Sequence, residues 1–219
     1  MNRFAKLLEK LLFTPSRNAK IIAMAEYFEN TPDPDRGFAL GAITRDLSLN
    51  NLKPTQLRTL TKSRVDPELF DMSYDYVGDM AETISLIWPK HTNRVLKKQR
   101  LPQLGELISA LQTKSKIALQ TYVTELLDCA SVTERWAIIK MVTGGLRVGV
   151  SARLAKTSLA EYSGKDLIEI EKIWHGIAVP YIELFSWLDG LADRPCIAPD
   201  RIFHPLMLSN PIDAQHDFD

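Results

Sequence analysis

Apolar residues at helical spacing recur along most of the chain, and this pattern limits the fold more than any other feature. In the first such segment the apolar residues lie on one stripe of a helix; they are Phe4, Leu7, Leu8, Leu11 and Leu12. About nine further segments repeat the pattern, separated by Pro, Gly or a capping Ser, Thr or Asp. The last two cover residues 166–178 and 180–191. No segment carries a convincing strand pattern, so the sequence predicts a compact all-α domain of about ten helices.

Two stretches interrupt the helical pattern. Residues 90–101 are polar and basic, which is typical of a flexible loop or of a junction between sub-domains. From residue 194 onward the periodicity is lost, and prolines punctuate a tail that ends in acidic and polar residues. The sequence therefore predicts a helical domain over residues 1–193 and a linker over residues 194–219.

The start of one predicted helix, which ends at Trp88, is ambiguous. Ser73 or Asp75 could begin it. The helix would then contain Gly78, and a glycine inside a helix costs about 1 kcal/mol relative to alanine. The alternative is a helix that begins at Asp79.

The chain has no net charge, with 27 Lys and Arg against 27 Asp and Glu, which argues against a uniformly basic nucleic-acid-binding protein. The charge is nevertheless unevenly distributed. Residues 90–156 carry 12 Lys and Arg against 4 Asp and Glu, a net +8, whereas residues 1–89 have a net charge of −1 and residues 157–219 of −7. A central basic block is expected if it faces phosphates. The alternative is a set of solvated basic helix faces.

The cysteines and histidines, which often form metal sites or reactive sites, are scattered along the sequence. Cys129 and Cys196 are far apart, lack metal-ligand spacing and fit a reducing cytoplasm. The histidines have no cysteine partner with which to form a metal cluster; they are His91, His175, His204 and His216. Charged residues run through the N-terminal segment and no apolar run approaches bilayer length, so neither a secretory signal nor a membrane anchor is predicted.

Residues 143–150, with the sequence TGGLRVGV, contain three glycines within six positions. Glycine permits positive φ and lets another molecule approach the main chain closely, and Arg147 could place a planar, permanently charged fork on a phosphate. The simpler interpretation is a helix C-cap with Gly144 in the αL conformation, and the residues alone favour it. Apolar residues at alternate positions predict an extended segment against the core; they are Leu146, Val148 and Val150.

A second basic feature lies at the start of the helix predicted over residues 16–29. Ser16 can cap this helix, and Arg17 and Lys20 share a face of its first turn. Cations there oppose the helix macrodipole, so a phosphate partner is one explanation for the pair. An ordinary exposed basic pair is the other.

Residues 133–150, with the sequence TERWAIIKMVTGGLRVGV, resemble a signature of the N-terminal DNA-binding domain of ATP-dependent DNA ligases. In that family a helix runs into a Gly-basic-Leu-Arg-Ile/Leu-Gly loop, and another helix follows. Residues 14–20 are similar to the entry of the family's second helix, and residues 203–209 to the Pro-Met-Leu-Ala segment that leads into the nucleotidyltransferase domain. Residues 74–83 add a closer similarity to a bacterial branch linked to DNA repair.

The resemblance implies an all-α domain that binds nicked duplex DNA without sequence specificity, through backbone and minor-groove contacts. The implied DNA-binding residues lie at two helix starts and in the glycine loop; they are Ser16, Arg17, Lys20, Lys114, Lys116, Gly144, Gly145, Leu146, Arg147 and Gly149. Gly145 departs from the family pattern, because that position is usually basic. Either Lys98 or Lys140 could compensate for the missing phosphate contact.

The resemblance also implies that the chemistry of nick sealing lies outside these 219 residues. The family's nucleophile is a lysine in a Lys-x-Asp-Gly motif, and no lysine of this sequence is followed by x-Asp-Gly. We therefore expect a monomeric, non-catalytic N-terminal fragment of a cytoplasmic, nucleoid-associated ligase that serves DNA repair, replication or recombination. Its partners would be duplex DNA and its own nucleotidyltransferase and OB-fold domains. The fragment would bind no cofactor, whereas the full-length enzyme would use ATP and a divalent metal (Mg²⁺).

Two other functions fit part of the sequence. An all-helical protein-interaction scaffold without DNA binding would account for the amphipathic helices and the zero net charge, but not for the basic block. A helix-turn-helix regulator would need a polar recognition helix and a dimer surface. Arg153 and Lys156, which follow the glycine loop, are too few to form such a helix.

Overall fold

A computed structural model describes residues 1–49, 52–89 and 100–197 of the chain. These residues form twelve α-helices and no strand, which confirms the all-α prediction and raises the predicted number of helices. The helices are α1 (Asn2–Phe13), α2 (Arg17–Asn30), α3 (Asp35–Thr44), α4 (Pro54–Lys62), α5 (Pro67–Val77), α6 (Met80–Ile87), α7 (Leu104–Thr113), α8 (Lys116–Cys129), α9 (Val132–Val142), α10 (Ala152–Ser163), α11 (Leu167–Trp174) and α12 (Ile182–Leu188). None of these helices is long and apolar enough to cross a membrane.

Serine and aspartate side chains begin many of these helices. Ser16, Ser131 and Ser151 each accept a hydrogen bond from the backbone N–H three residues later, at 3.3, 3.4 and 3.1 Å. Asp79 accepts one from Glu82 at 2.9 Å. Each of these bonds satisfies one of the free N–H groups in a first helical turn, so the local sequence determines where the helix starts.

The prediction of a helix that runs through Gly78 is wrong. α5 ends at Val77, and Gly78 has φ 73 and donates its N–H to the Tyr74 carbonyl at 2.8 Å. Asp79 then caps α6, which confirms the alternative start at that residue. A glycine is favoured in the αL position after a helix, whereas it is unfavourable inside one.

Helices α9 and α10 form the centre of the described fold. α9 packs against α1, α6 and α8, and α10 packs against α2, α3 and α11. The apolar side chains of α9 are almost completely removed from solvent, since Ala137, Ile138, Ile139, Met141 and Val142 are at most 2% exposed. The glycine loop therefore connects the two central helices.

α2 and α10 lie side by side and run parallel. Lys20, near the start of α2, contacts Gly149, which lies just before α10. Phe28, near the end of α2, has its ring centroid 6.4 Å from that of Tyr162, near the end of α10. Both helices therefore begin at the end of the molecule that contains the glycine loop, so their partially positive N-termini lie on the same side.

A buried ionic cluster closes the opposite end of this helix pair. Arg36 is 8% exposed and forms ion pairs with Asp33 at 2.7 Å and with Asp189 at 2.6 Å. Its guanidinium also lies 4.4 Å from the ring centroid of Phe185. Burial acts to raise the pKa of Asp189, but hydrogen bonds from Arg36 and Tyr162 outweigh it and hold that pKa below its ordinary value. The cluster joins the turn before α3 to the ends of α10 and α12.

Candidate nucleic-acid interface

The glycine loop begins as a helix C-cap. Gly144 has φ 69, and its N–H donates to the Met141 carbonyl at 3.2 Å. The N–H of Gly145 donates to the Lys140 carbonyl at 2.9 Å. Together these bonds form the pair that closes a helix end in the Schellman motif, so the predicted αL cap at Gly144 is confirmed.

Beyond the cap, alternate side chains enter the core. Leu146 and Val148 are 8% and 4% exposed, whereas Arg147 and Gly149 are exposed, so the predicted alternation is confirmed for these residues. Within the described ranges, the backbone N–H groups of residues 146–149 have no hydrogen-bond acceptor. The loop thus exposes the guanidinium of Arg147 and leaves these backbone donors without a protein acceptor among the described residues.

Lys20 holds the loop against α2. Its ammonium donates to the carbonyl oxygens of Val148 and Gly149, both at 3.1 Å, and the residue is only 9% exposed. Gly149 has φ 65, and a Cβ at this position would lie 2.7 Å from Lys20 Nζ. Arg17, in contrast, is exposed. The two residues therefore do not form an exposed basic pair, and the phosphate contact of Lys20 stays a prediction.

The first turns of five helices contain no acidic residue; these helices are α1, α2, α4, α8 and α10. An acid is present in the first turns of α3, α5, α6, α7, α9, α11 and α12, where the macrodipole favours negative charge. Among the helices without such an acid, α2, α8 and α10 follow a serine cap and carry an exposed cation in the first turn; these cations are Arg17, Lys116 and Arg153. An anion bound at these helix starts would remove the unfavourable interaction of the cations with the helix dipole.

The two lysines predicted around the start of α8 have different surroundings. Lys116 is exposed, whereas Lys114 is half-buried with its ammonium 4.9 Å from the ring centroid of Tyr122. Gln112, near the end of α7, donates to the Ser48 carbonyl at 3.3 Å. This hydrogen bond connects the end of α7 to the segment that follows α3.

Arg45 also borders the glycine loop, although the sequence pattern did not single it out. It is the C-cap of α3, with φ 66, and its side chain is exposed. It lines a cleft of about 110 Å³ together with Gly144 and Leu146. The sequence predicts a helix continuing to Asp46, and nothing in a sequence marks an arginine that adopts positive φ, so this residue was missed.

Three cations of the central basic block are used inside the protein. Lys140 pairs with Asp79 at 2.5 Å, Lys156 pairs with Glu171 at 3.2 Å, and Arg135, which is 6% exposed, donates to the Leu127 carbonyl at 2.7 Å. Lys140, one of the two candidates to compensate for Gly145, is thus engaged by a carboxylate. The other candidate, Lys98, lies outside the described residues.

Several further predictions concern residues that the structure does not describe. They are residues 90–99 of the basic junction, residues 198–219 of the linker, and the segment 203–209 within it. Among the described residues, no group of histidine, cysteine and acidic side chains could hold a metal ion. Neither Cys129 nor Cys196 forms a disulfide within the part of the chain that the structure describes.

Comparison with protein families relates this surface to a known domain. The family model described as DNA ligase N terminus matches residues 1–160, which include the start of α2, all of α9 and the glycine loop. Comparison with curated proteins gives no match. Because the family model covers well over half of the 219 residues, the chain belongs to the family of N-terminal domains of ATP-dependent DNA ligases.

Proposed function

We propose that this domain binds duplex DNA, including nicked duplexes, without sequence preference and through the sugar-phosphate backbone and the minor groove. The observation that carries the proposal is the position of the glycine loop beside the parallel starts of α2 and α10. Exposed arginines occupy all three elements; they are Arg17, Arg147 and Arg153. Backbone donors and permanent positive charges are thus concentrated at one end of the domain.

Phosphate binding by this arrangement has a direct physical basis. The N-terminus of a helix presents free N–H groups and a partial positive charge, and two parallel helices add their fields. A guanidinium adds charge-assisted hydrogen bonds that can be bidentate. The cations in the first turns of α2 and α10 are unfavourable for the isolated helices, but they become favourable once a phosphate lies between them and the helix ends.

The groups available at the loop are poorly suited to reading bases. Gly144, Gly145 and Gly149 have no side chains, and Leu146 is buried. Backbone N–H groups and arginines recognise phosphates and sugars, which carry no sequence information. Minor-groove proteins can bind entirely through such contacts. This mode suits a ligase, because nicks occur in every sequence.

In this proposal the domain holds the DNA while other parts of the ligase carry out the reaction. The lysine nucleophile, the ATP site and the Mg²⁺ site belong to the nucleotidyltransferase domain, which acts with an OB-fold domain. The domain described here would be a monomeric, non-catalytic clamp. Its ligase would act on the nucleoid in the bacterial cytoplasm, in DNA repair, replication or recombination.

Fluorescence anisotropy with nicked, intact and sequence-unrelated duplexes, measured over a salt series, tests the proposal. We expect similar affinity for unrelated sequences and a loss of affinity with salt. Four phosphate contacts would give a slope of log affinity against log salt of about −3.6. No binding by the folded chain at low salt would contradict the proposal and favour a helical protein-interaction scaffold. Strong preference for one sequence would instead favour a transcriptional regulator.

Arg147→Ala is the most direct variant for this experiment. Because Arg147 is exposed, we expect unchanged thermal unfolding, weaker binding to all duplexes alike and a salt slope flatter by about one unit. Arg194→Ala is the matched control, since Arg194 is also exposed. Arg194 comes shortly after Asp189 in the sequence, and Asp189 contacts the end of α10 that lies away from the loop. Wild-type affinity and slope in Arg147→Ala would contradict the role assigned to Arg147.

A further inference from the structure

We propose that Arg45 is a phosphate-binding residue and that it extends the DNA-binding surface from the glycine loop to the end of α3. The inference rests on the proposed DNA-binding function and adds a residue outside the glycine loop and the α2 start. Three observations support it: the backbone conformation of Arg45, the absence of a protein partner for its side chain among the described residues, and its position beside Gly144.

The backbone conformation of Arg45 is unfavourable for an arginine. With φ 66 and ψ 26 it occupies the left-handed region, which glycine and asparagine adopt far more readily than residues with a long side chain. A helix end of this type is usually completed by glycine. The fold alone would therefore be served better by another residue, which indicates that the guanidinium has a use outside the fold.

The side chain of Arg45 is free to bind a ligand. It is exposed, and among the described residues it has neither an ion pair nor a side-chain hydrogen bond. The adjacent carboxylate of Asp46 is already occupied, because Thr44 Oγ1 and the Tyr181 hydroxyl each donate to it at 2.6 Å. These bonds fix the turn after α3 without involving Arg45.

The turn is also fixed against the end of α9. Arg45 and Leu47 line the cleft of about 110 Å³ together with Met141, Gly144 and Leu146. Further along the same segment, the N–H of Leu52 donates to the carbonyl of Val142 at 2.8 Å. Arg45 is therefore held beside the first glycine of the loop by contacts that do not use its charge.

This position places Arg45 at the opposite end of the glycine loop from the cations of α2. Arg45 borders the Gly144 end of the loop, and α2 borders the Gly149 end through Lys20. Five extended residues span at most about 17 Å, which corresponds to about five base steps at 3.4 Å each. Arg45 and Arg17 would thus contact phosphates on either side of the one that Arg147 contacts.

The test is Arg45→Gly, because glycine removes the guanidinium and suits the left-handed backbone. We expect an unchanged or raised midpoint of thermal unfolding together with about three- to tenfold weaker binding to every duplex. The salt slope should become flatter by about 0.9. Arg45→Asn, which also tolerates positive φ, should behave in the same way. Arg194→Gly is the matched control and should bind as the wild type does.

The outcomes separate this inference from the proposed function. Wild-type affinity and slope in Arg45→Gly, with Arg147→Ala impaired, would overturn the role of Arg45 and leave the proposed function intact. A folded wild-type chain that binds no DNA at low salt would overturn both. Weaker binding accompanied by a lowered unfolding midpoint in both Arg45 variants would show that Arg45 is a structural cap, and would also overturn the inference.

Discussion

A single buried ammonium determines where the glycine loop lies relative to α2. Lys20 donates to the carbonyls of Val148 and Gly149, and Lys20→Met would remove both bonds while keeping most of the apolar chain. The bond to Val148 is buried and the bond to Gly149 is partly buried, and a buried carbonyl without a donor costs about 1–3 kcal/mol. We therefore expect a loss of that size in the free energy of unfolding, measured with urea, and weaker DNA binding because the loop loses its tether.

Arg17→Met is the matched control for this prediction. It removes the same charge from the first turn of the same helix, but Arg17 is exposed. We expect its free energy of unfolding to stay within about 0.5 kcal/mol of the wild-type value, while its DNA affinity falls. If Lys20→Met instead lost affinity without losing stability, Lys20 would be a direct phosphate contact and the tether assignment would be wrong.

Individual residues were predictable from the sequence where the signal was local. The cap at Gly144 and the buried positions of Leu146 and Val148 follow from a few neighbouring residues, and the structure confirms them. The burial of Lys20 depends on carbonyls 128 and 129 residues away. Arg45 lies beside Gly144 because segments far apart in the sequence line the same cleft. Tertiary contacts of this kind leave no local pattern to interpret.

Asp79 connects two helices, since it caps α6 and pairs with Lys140 on α9. Burial acts to raise the pKa of Asp79, but the hydrogen bonds from Lys140 and from the Glu82 backbone outweigh it and lower that pKa. A lowered folded-state pKa stabilises the protein above the unfolded-state pKa of about 3.9, and this contribution is lost as pH falls through the folded-state value. The link between the two helices should therefore weaken in acid.

Asp79→Asn tests this link, because asparagine is also a good N-cap but carries no charge. The Asp79 side chain is 38% exposed, so solvent screens the pair and we expect a loss of no more than about 1 kcal/mol at pH 7. The difference from the wild type should disappear once acid protonates Asp79. Urea unfolding over a pH series measures it. A difference that is the same at all pH values would show that the charge of Asp79 is not what stabilises the contact.

Helix ends were predictable from the sequence where a capping residue marks them. They were less predictable where the sequence offers no such residue. Ser16 begins α2 as predicted, and capping residues of the same kind, Ser151 and Gly164, bound α10. The helix predicted over residues 166–178 instead ends at Trp174. Gly176 follows closely, and a Cβ there would lie 2.3 Å from Ile197. A distant segment thus packs closely against the residues that follow this helix, and sequence periodicity does not report such an approach.

At the scale of the whole molecule, the exposed arginines of the proposed DNA-binding surface and the buried ionic cluster lie at opposite ends of the parallel pair α2 and α10. Twelve helical residues of α10 separate the two ends by about 18 Å. The two ends should therefore be separable in experiment. Substitutions in the ionic cluster should change stability, and substitutions at the loop should change DNA binding.

Arg36→Met tests this separation. It leaves Asp33 and Asp189 without their partner, and the Asp189 side chain is only 18% exposed. Loss of one partner from a buried pair costs about 3–5 kcal/mol, so we expect a large decrease in the free energy of unfolding in urea. Lys10→Met is the control, because the Lys10–Glu26 pair is more than half exposed and should contribute less than about 1 kcal/mol. At a low temperature where circular dichroism shows the Arg36 variant to be folded, its DNA affinity and salt slope should equal those of the wild type. A flatter slope in that variant would mean that the cluster positions the loop through α10, and that the frame and the binding surface are energetically coupled.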